Sequence, residues 1–195
     1  DLSGADLTVE RFVNEGTING EVVQISASES LMLGEGALEV ASLIVEAPGE
    51  FDYAAGGFRA NDLLRLTLPS FSLASGEAFY ADGVLNIHTT EGGILNEGDL
   101  ISRGGMLLDS DGAIGNGGFI FSGGNMALNA GAGLGNSGTI VSLGGLIGQA
   151  DGLGNSGRIK SYGAMDISVS DDLYNSGRLL SRSSIALSAG SDARN

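Results

Sequence analysis

The chain has 195 residues, of which 34 are glycine and two are proline, with no cysteine and no tryptophan. Twenty-four acids against nine Lys and Arg give a formal net charge of −15. Collagen is excluded because glycine shows no three-residue period, and simple disorder because 42 % of residues are hydrophobic. No apolar run approaches the roughly 18 residues a membrane helix needs, and without cysteine there is no disulfide framework or thiolate metal site. The acidity argues against nucleic acid, whose phosphates need a basic stripe, and against an anionic membrane surface.

The chain begins at Asp1 without an initiating methionine or a leader, which suggests a piece of a longer protein. Its first clear motif is FVNEGTI at 12–18, with Phe12, Asn14, Gly16 and Ile18 two positions apart. The alternation returns in Phe58-x-Ala60-x-Asp62-x-Leu64-x-Leu66 and in Phe79-x-Ala81-x-Gly83-x-Leu85-x-Ile87. Residues 47–80, which overlap both segments, hold Phe51, Tyr53, Phe58 and both prolines, and depart most from a regular pattern. A loop or bulge leaving the main structure is expected there.

From residue 94 the sequence repeats itself. Asn96, Asn116, Asn136, Asn155 and Asn175 recur at spacings of 20, 20, 19 and 20. Two residues after each comes glycine, then an aliphatic residue (Leu100, Ile120, Ile140, Ile159, Leu179), then serine (Ser102, Ser122, Ser142, Ser161, Ser181). Period two inside a unit means extended chain with alternate side chains on one face. Units that repeat without inversion stack in the same sense. The expected fold is therefore all-β, a right-handed parallel β-helix of about nine coils of roughly 20 residues. A run of β-hairpins is the competing fold, since Asn-Gly pairs also mark hairpin turns. It is disfavoured because one identical turn per unit does not alternate strand direction.

In such a solenoid the aliphatic positions face inward, and glycine and serine fit where the interior is narrow. The asparagines stack into a ladder at one corner, and the glycine after each relaxes the backbone there. Two regions of one continuous solenoid follow. Residues 1–93, with 15 acids and three bases, hold degenerate acidic coils and the irregular 47–80 stretch, and residues 94–195 hold regular ones.

The unit L-x-N-S-G-x-I-x-S-x-G-x-L, as in 134–146 and 153–165, resembles the haemagglutinin repeats of filamentous haemagglutinins and contact-dependent growth-inhibition effectors. The resemblance covers 94–189 and continues more weakly, in phase, over 12–93. It implies a secreted Gram-negative exoprotein of two-partner secretion, exported through an outer-membrane partner by a region outside this sequence. It further implies a β-helical filament at the cell surface that adheres to a target-cell receptor or glycan, or presents a toxin. The family's Asn-Pro-Asn secretion motifs are absent.

Other motifs point to little chemistry. GLGNSG at 133–138 and 152–157 matches G-x-G-x-x-G, but no helical pattern follows either copy, so no dinucleotide cofactor is expected. The one histidine, His88, lies between inward Ile87 and Leu85 on one side and Thr89 on the other, and is expected to face outward. A triad or a histidine-based metal site is thus not expected. The acid pairs Asp109/Asp111 and Asp171/Asp172 fall near unit ends, where solvated turn residues are the default. A β-helical glycan-binding or glycan-cleaving protein is the alternative from another class. Coils this short leave little chain for the long loops of an enzymatic cleft.

One outward column is apolar where a solvated strand would be polar. Five residues after each asparagine stand Ile101, Phe121, Val141, Lys160 and Leu180, with Phe119, Leu143 and Tyr162 beside them. This stripe, or the aromatics Phe51, Tyr53 and Phe58, is the candidate contact surface. Neighbouring coils of a longer protein would cover the open ends of the rod; in an excised fragment those ends are exposed, and end-to-end self-association is expected of it.

Overall fold

A computed structural model describes residues 4–33, 38–53 and 58–195. Every strand pairing among these residues is parallel, and no helix occurs among them. The strands form three sheets of eleven, six and seven members that wind into a β-solenoid of about nine turns. Successive turns are close to 20 residues apart: Met106 pairs with Met126, Met126 with Leu146, Leu146 with Met165 and Met165 with Ile185.

The regular half is three-sided. A unit of it runs from a three-residue strand such as Leu134–Asn136, through Thr139–Ser142, to Leu146–Ala150. Only two or three residues separate these strands. Burial alternates along them, so Leu134, Asn136, Ile140, Ser142, Leu146 and Gly148 turn inward. Each inward side chain packs on its counterpart one turn up and down. The core is thus a set of parallel stacks in place of one globular cluster.

The first third is built differently. Ala5–Val13, Ile18–Leu33, Leu38–Glu46 and Phe58–Leu68 are long strands of the eleven-stranded sheet alone. The other two sheets begin only at Phe71–Leu73 and Ala78–Ala81. Weak lettering in the first half thus reflects a different cross-section. A register shift falls where Val40 pairs with Ala60 but Ser42 with Leu63. Within 47–80 the short strand Glu50–Tyr53 stands off the main strand order and pairs with Ile18–Leu33. Phe71 and Phe79 are buried and meet edge-to-face with ring centroids 5.5 Å apart. Such a contact adds about 0.5–1.5 kcal/mol beyond burial.

The repeated glycines have another reason than the one expected. Among the described residues only Gly4 and Gly76 have positive φ. The glycine two residues after each asparagine lies instead under a carbonyl of the preceding turn. A Cβ on Gly118, Gly138, Gly157 or Gly177 would stand 2.1 Å from that oxygen, well inside contact distance. Close backbone approach, not left-handed conformation, selects glycine here.

Candidate contact face

At the corner between the seven- and six-stranded sheets the asparagines are buried and form a continuous ladder. Asn96 Nδ2 donates to Asn116 Oδ1 at 2.8 Å, Asn116 to Asn136 at 2.8 Å and Asn136 to Asn155 at 2.7 Å. Asn155 donates to Asn175 at 2.6 Å, and Asn175 donates to Asn195. The amides of Asn96, Asn116, Asn136 and Asn155 also reach the carbonyl of the glycine two residues on, as from Asn96 to Gly98 at 3.1 Å. The same oxygen accepts the N–H of the next turn, for example Phe119 N–H to Gly98 at 2.8 Å.

A second ladder stiffens the next corner. Ser142 Oγ contacts the carbonyls of Gly124 and Gly145, each at 2.9 Å, and Ser102, Ser122 and Ser161 repeat the arrangement. Serine is therefore more than a small residue in a narrow interior, because it links two turns through their carbonyls.

Between these corners lies the six-stranded sheet, whose outer surface presents three columns. The central column stacks Tyr80, Ile101, Phe121, Val141, Lys160 and Leu180 in register. Tyr80 and Leu180 are exposed, and the four between them half-buried. The first column runs Ala78, Asp99, Phe119, Thr139, Arg158, Arg178. The third continues past the serines as Asp82, Arg103, Gly123, Leu143, Tyr162 and Arg182. Phe119 and Phe121 stack with centroids 6.2 Å apart, and Leu143 is 46 % exposed.

Ile101, Phe119, Phe121, Val141, Leu143, Tyr162 and Leu180 thus share one face. Phe51 does not join them. It is half-buried and packs on the core within the long-strand region. The side chains of Tyr53 and Phe58 lie outside the described residues.

Charge is segregated along the face. At its early end stand Asp99 and, at the adjoining corner, Glu77 and Glu97, which line one shallow depression with Phe119 and Thr139. At its late end stand Arg158, Lys160, Arg178 and Arg182, none with a carboxylate partner among the described residues. Arg158 and Arg178 are register neighbours, a like-charge stack that costs free energy in an isolated sheet. Lys160 Nζ lies 2.6 Å from Tyr162 Oη and 3.9 Å from the ring centroid, and the Arg182 guanidinium carbon 4.3 Å from it. The Lys160 hydrogen bond and charge, helped by Arg182 and Arg158, hold the Tyr162 phenol below its usual pKa.

Selecting only the apolar and aromatic residues of this face misses Asp99, Arg158, Arg178 and Arg182. The positions three and seven residues after each asparagine carry them, and the same repeat alignment would have exposed the gradient.

His88 faces outward on the eleven-stranded sheet, its Nδ1 3.0 Å from Asp109 Oδ2 but off the axis of a straight hydrogen bond. Among the described residues no three His, Asp or Glu side chains converge as a metal site. No family model, no curated protein and no solved structure matches the chain. The class of protein that fold and face define is a parallel β-solenoid with ladder-stabilised corners and one patterned outer sheet.

Proposed function

We propose that the chain is a non-enzymatic segment of a secreted exoprotein filament, serving adhesion or the presentation of a receptor-binding region or toxin. The reading draws on the haemagglutinin-like repeat and its two-partner-secretion setting at a Gram-negative cell surface. The observation that carries it is the six-stranded face. Turns of two or three residues keep this surface free of long loops, so it offers a broad contact area and no catalytic cleft. Carbonyl, amide and hydroxyl ladders make the rod stiff enough to hold that surface away from a cell. A target-cell receptor or glycan is the partner.

The test is saturable binding of the labelled chain to a panel of bacterial and epithelial cells, followed by a glycan array. Ile101→Glu, Phe121→Glu and Val141→Glu together should abolish binding while circular dichroism stays that of the parent. Equal binding by the triple variant, or turnover of an array glycan, overturns the reading.

A further inference from the structure

We propose that the six-stranded face is self-complementary and pairs with the same face of a second copy of this chain, the two rods antiparallel. The proposal rests on the reading of this face as a contact surface and names its partner. A two-fold axis lying in the interface, parallel to the strands, keeps each column over itself and reverses the order of turns. The first turn of the face then meets the sixth of the other copy, the second meets the fifth, and the third meets the fourth.

That operation brings opposite chemistry together at most positions. In the first column Asp99 faces Arg158 of the second copy, and in the third Asp82 faces Arg182. In the central column Tyr80 faces Leu180, and Phe121 faces Val141. The gap over Gly123 receives the exposed Leu143. Arg103, already held by Asp82 at 2.9 Å, comes over the ring of Tyr162. Ile101 opposite Lys160 and Ala78 opposite Arg178 are the poorly matched positions. Parallel rods in the same register would instead swap the first and third columns, placing Lys160 on Lys160 and Arg178 on Arg182, where like charges repel.

Two of the four unpaired cations, Arg158 and Arg182, meet acids in this arrangement, and the apolar middle leaves water. Six strands about 4.8 Å apart and some 15 Å wide give a face of roughly 400 Å². The roughly 800 Å² buried by both copies is about half a standard interface, so the dimer is weak, fast and salt-sensitive.

Sedimentation equilibrium of the whole chain over a concentration series reads this directly. The expected result is a monomer–dimer equilibrium that weakens between about 0.01 and about 1 M salt. Asp99→Arg or Arg158→Asp alone should weaken dimerisation about tenfold, and the two together should restore it. A second readout uses the absence of native cysteine. Mixed Phe121→Cys and Val141→Cys chains should form disulfide-linked dimers faster than either alone. A monomer at every concentration, an association unmoved by the single reversals, or no gain in cross-linking on mixing overturns the proposal. Cell binding that is lost in the triple Glu variant without any dimer would retain the adhesive reading and sink this one. Restored dimers with no cell binding would do the reverse.

Discussion

The carbonyl oxygen of Gly118 sits where the side chain of Gly138 would begin. A Cβ built on Gly138 lies 2.1 Å from it, and the same oxygen accepts the N–H of Thr139 at 2.9 Å. Moving this oxygen aside therefore breaks a ladder bond, and leaving it in place forbids any larger residue.

Two glycines in one turn should consequently respond in opposite ways. Gly138→Ala should destabilise the fold by about 2 kcal/mol or more, through overpacking against backbone that cannot rotate away. Gly135, three residues earlier, faces outward and a Cβ there meets nothing within 4 Å. Gly135→Ala should be neutral or stabilise by about 0.5–1 kcal/mol, because alanine loses less backbone freedom in a strand. Thermal unfolding of the two variants beside the parent checks both. Equal loss in both would refute the close-approach account.

The asparagine ladder should tolerate neither removal nor charge. Asn136→Leu leaves Asn155 Oδ1 without the amide donor that now lies 2.7 Å away, costing about 1–3 kcal/mol. Asn136→Asp should cost more at neutral pH, since a carboxylate at this buried site cannot donate to Asn155. Denaturant midpoints at neutral and acid pH separate them. The aspartate variant should recover part of its loss on acidification, when its carboxyl becomes a donor, and the leucine variant should not.

Tyr162 should titrate below the ordinary tyrosine value. Its phenol is held down first by the hydrogen bond from Lys160, then by the charge of Lys160. Lys160→Met should therefore move one tyrosinate absorbance step up toward the ordinary value of about 10. The sign for stability follows from a lowered folded-state pKa. Ionised Tyr162 stabilises the fold above the unfolded-state pKa, and the effect is lost as pH falls through the folded-state value. An absorbance titration indistinguishable between parent and variant would count against the contact.

The last turn offers a fourth test. Ile185 and Leu187 align with buried Met165 and Ile167 yet are 44 % and 45 % exposed, because no turn covers them here. Ile185→Lys with Leu187→Lys should reduce end-to-end association while leaving the Asp99/Arg158 charge dependence intact. Light scattering at matched concentrations checks this, and unchanged long assemblies would exclude that end as the contact.

The parallel stacking was legible because the same residues recur at nearly constant spacing. Asn96, Asn116 and Asn136 can all be equivalent only if equivalent positions stack without inversion. Why Gly118 and Gly138 are glycine was not legible, since the letter does not distinguish a left-handed turn from a carbonyl overhead. The long strands before Phe71 were hidden because their inward residues, such as Val23, Leu43 and Leu64, carry no corner motif between them. The polarity of the contact face was present in the letters but spread over three columns. Its Lys160 interrupts the apolar column, and only Arg158, Arg178 and Arg182 beside it reveal the interruption as part of a patch.

Backbone hydrogen bonds in a sheet point alternately up and down and leave little net dipole. The amides from Asn96 to Asn195 do not alternate, since every one donates toward the higher-numbered turn. At the lower end Asn96 Oδ1 faces the turn that carries Leu73 and has no donor. The rod thus has an electrical direction, like a helix, carried by side chains instead of the main chain.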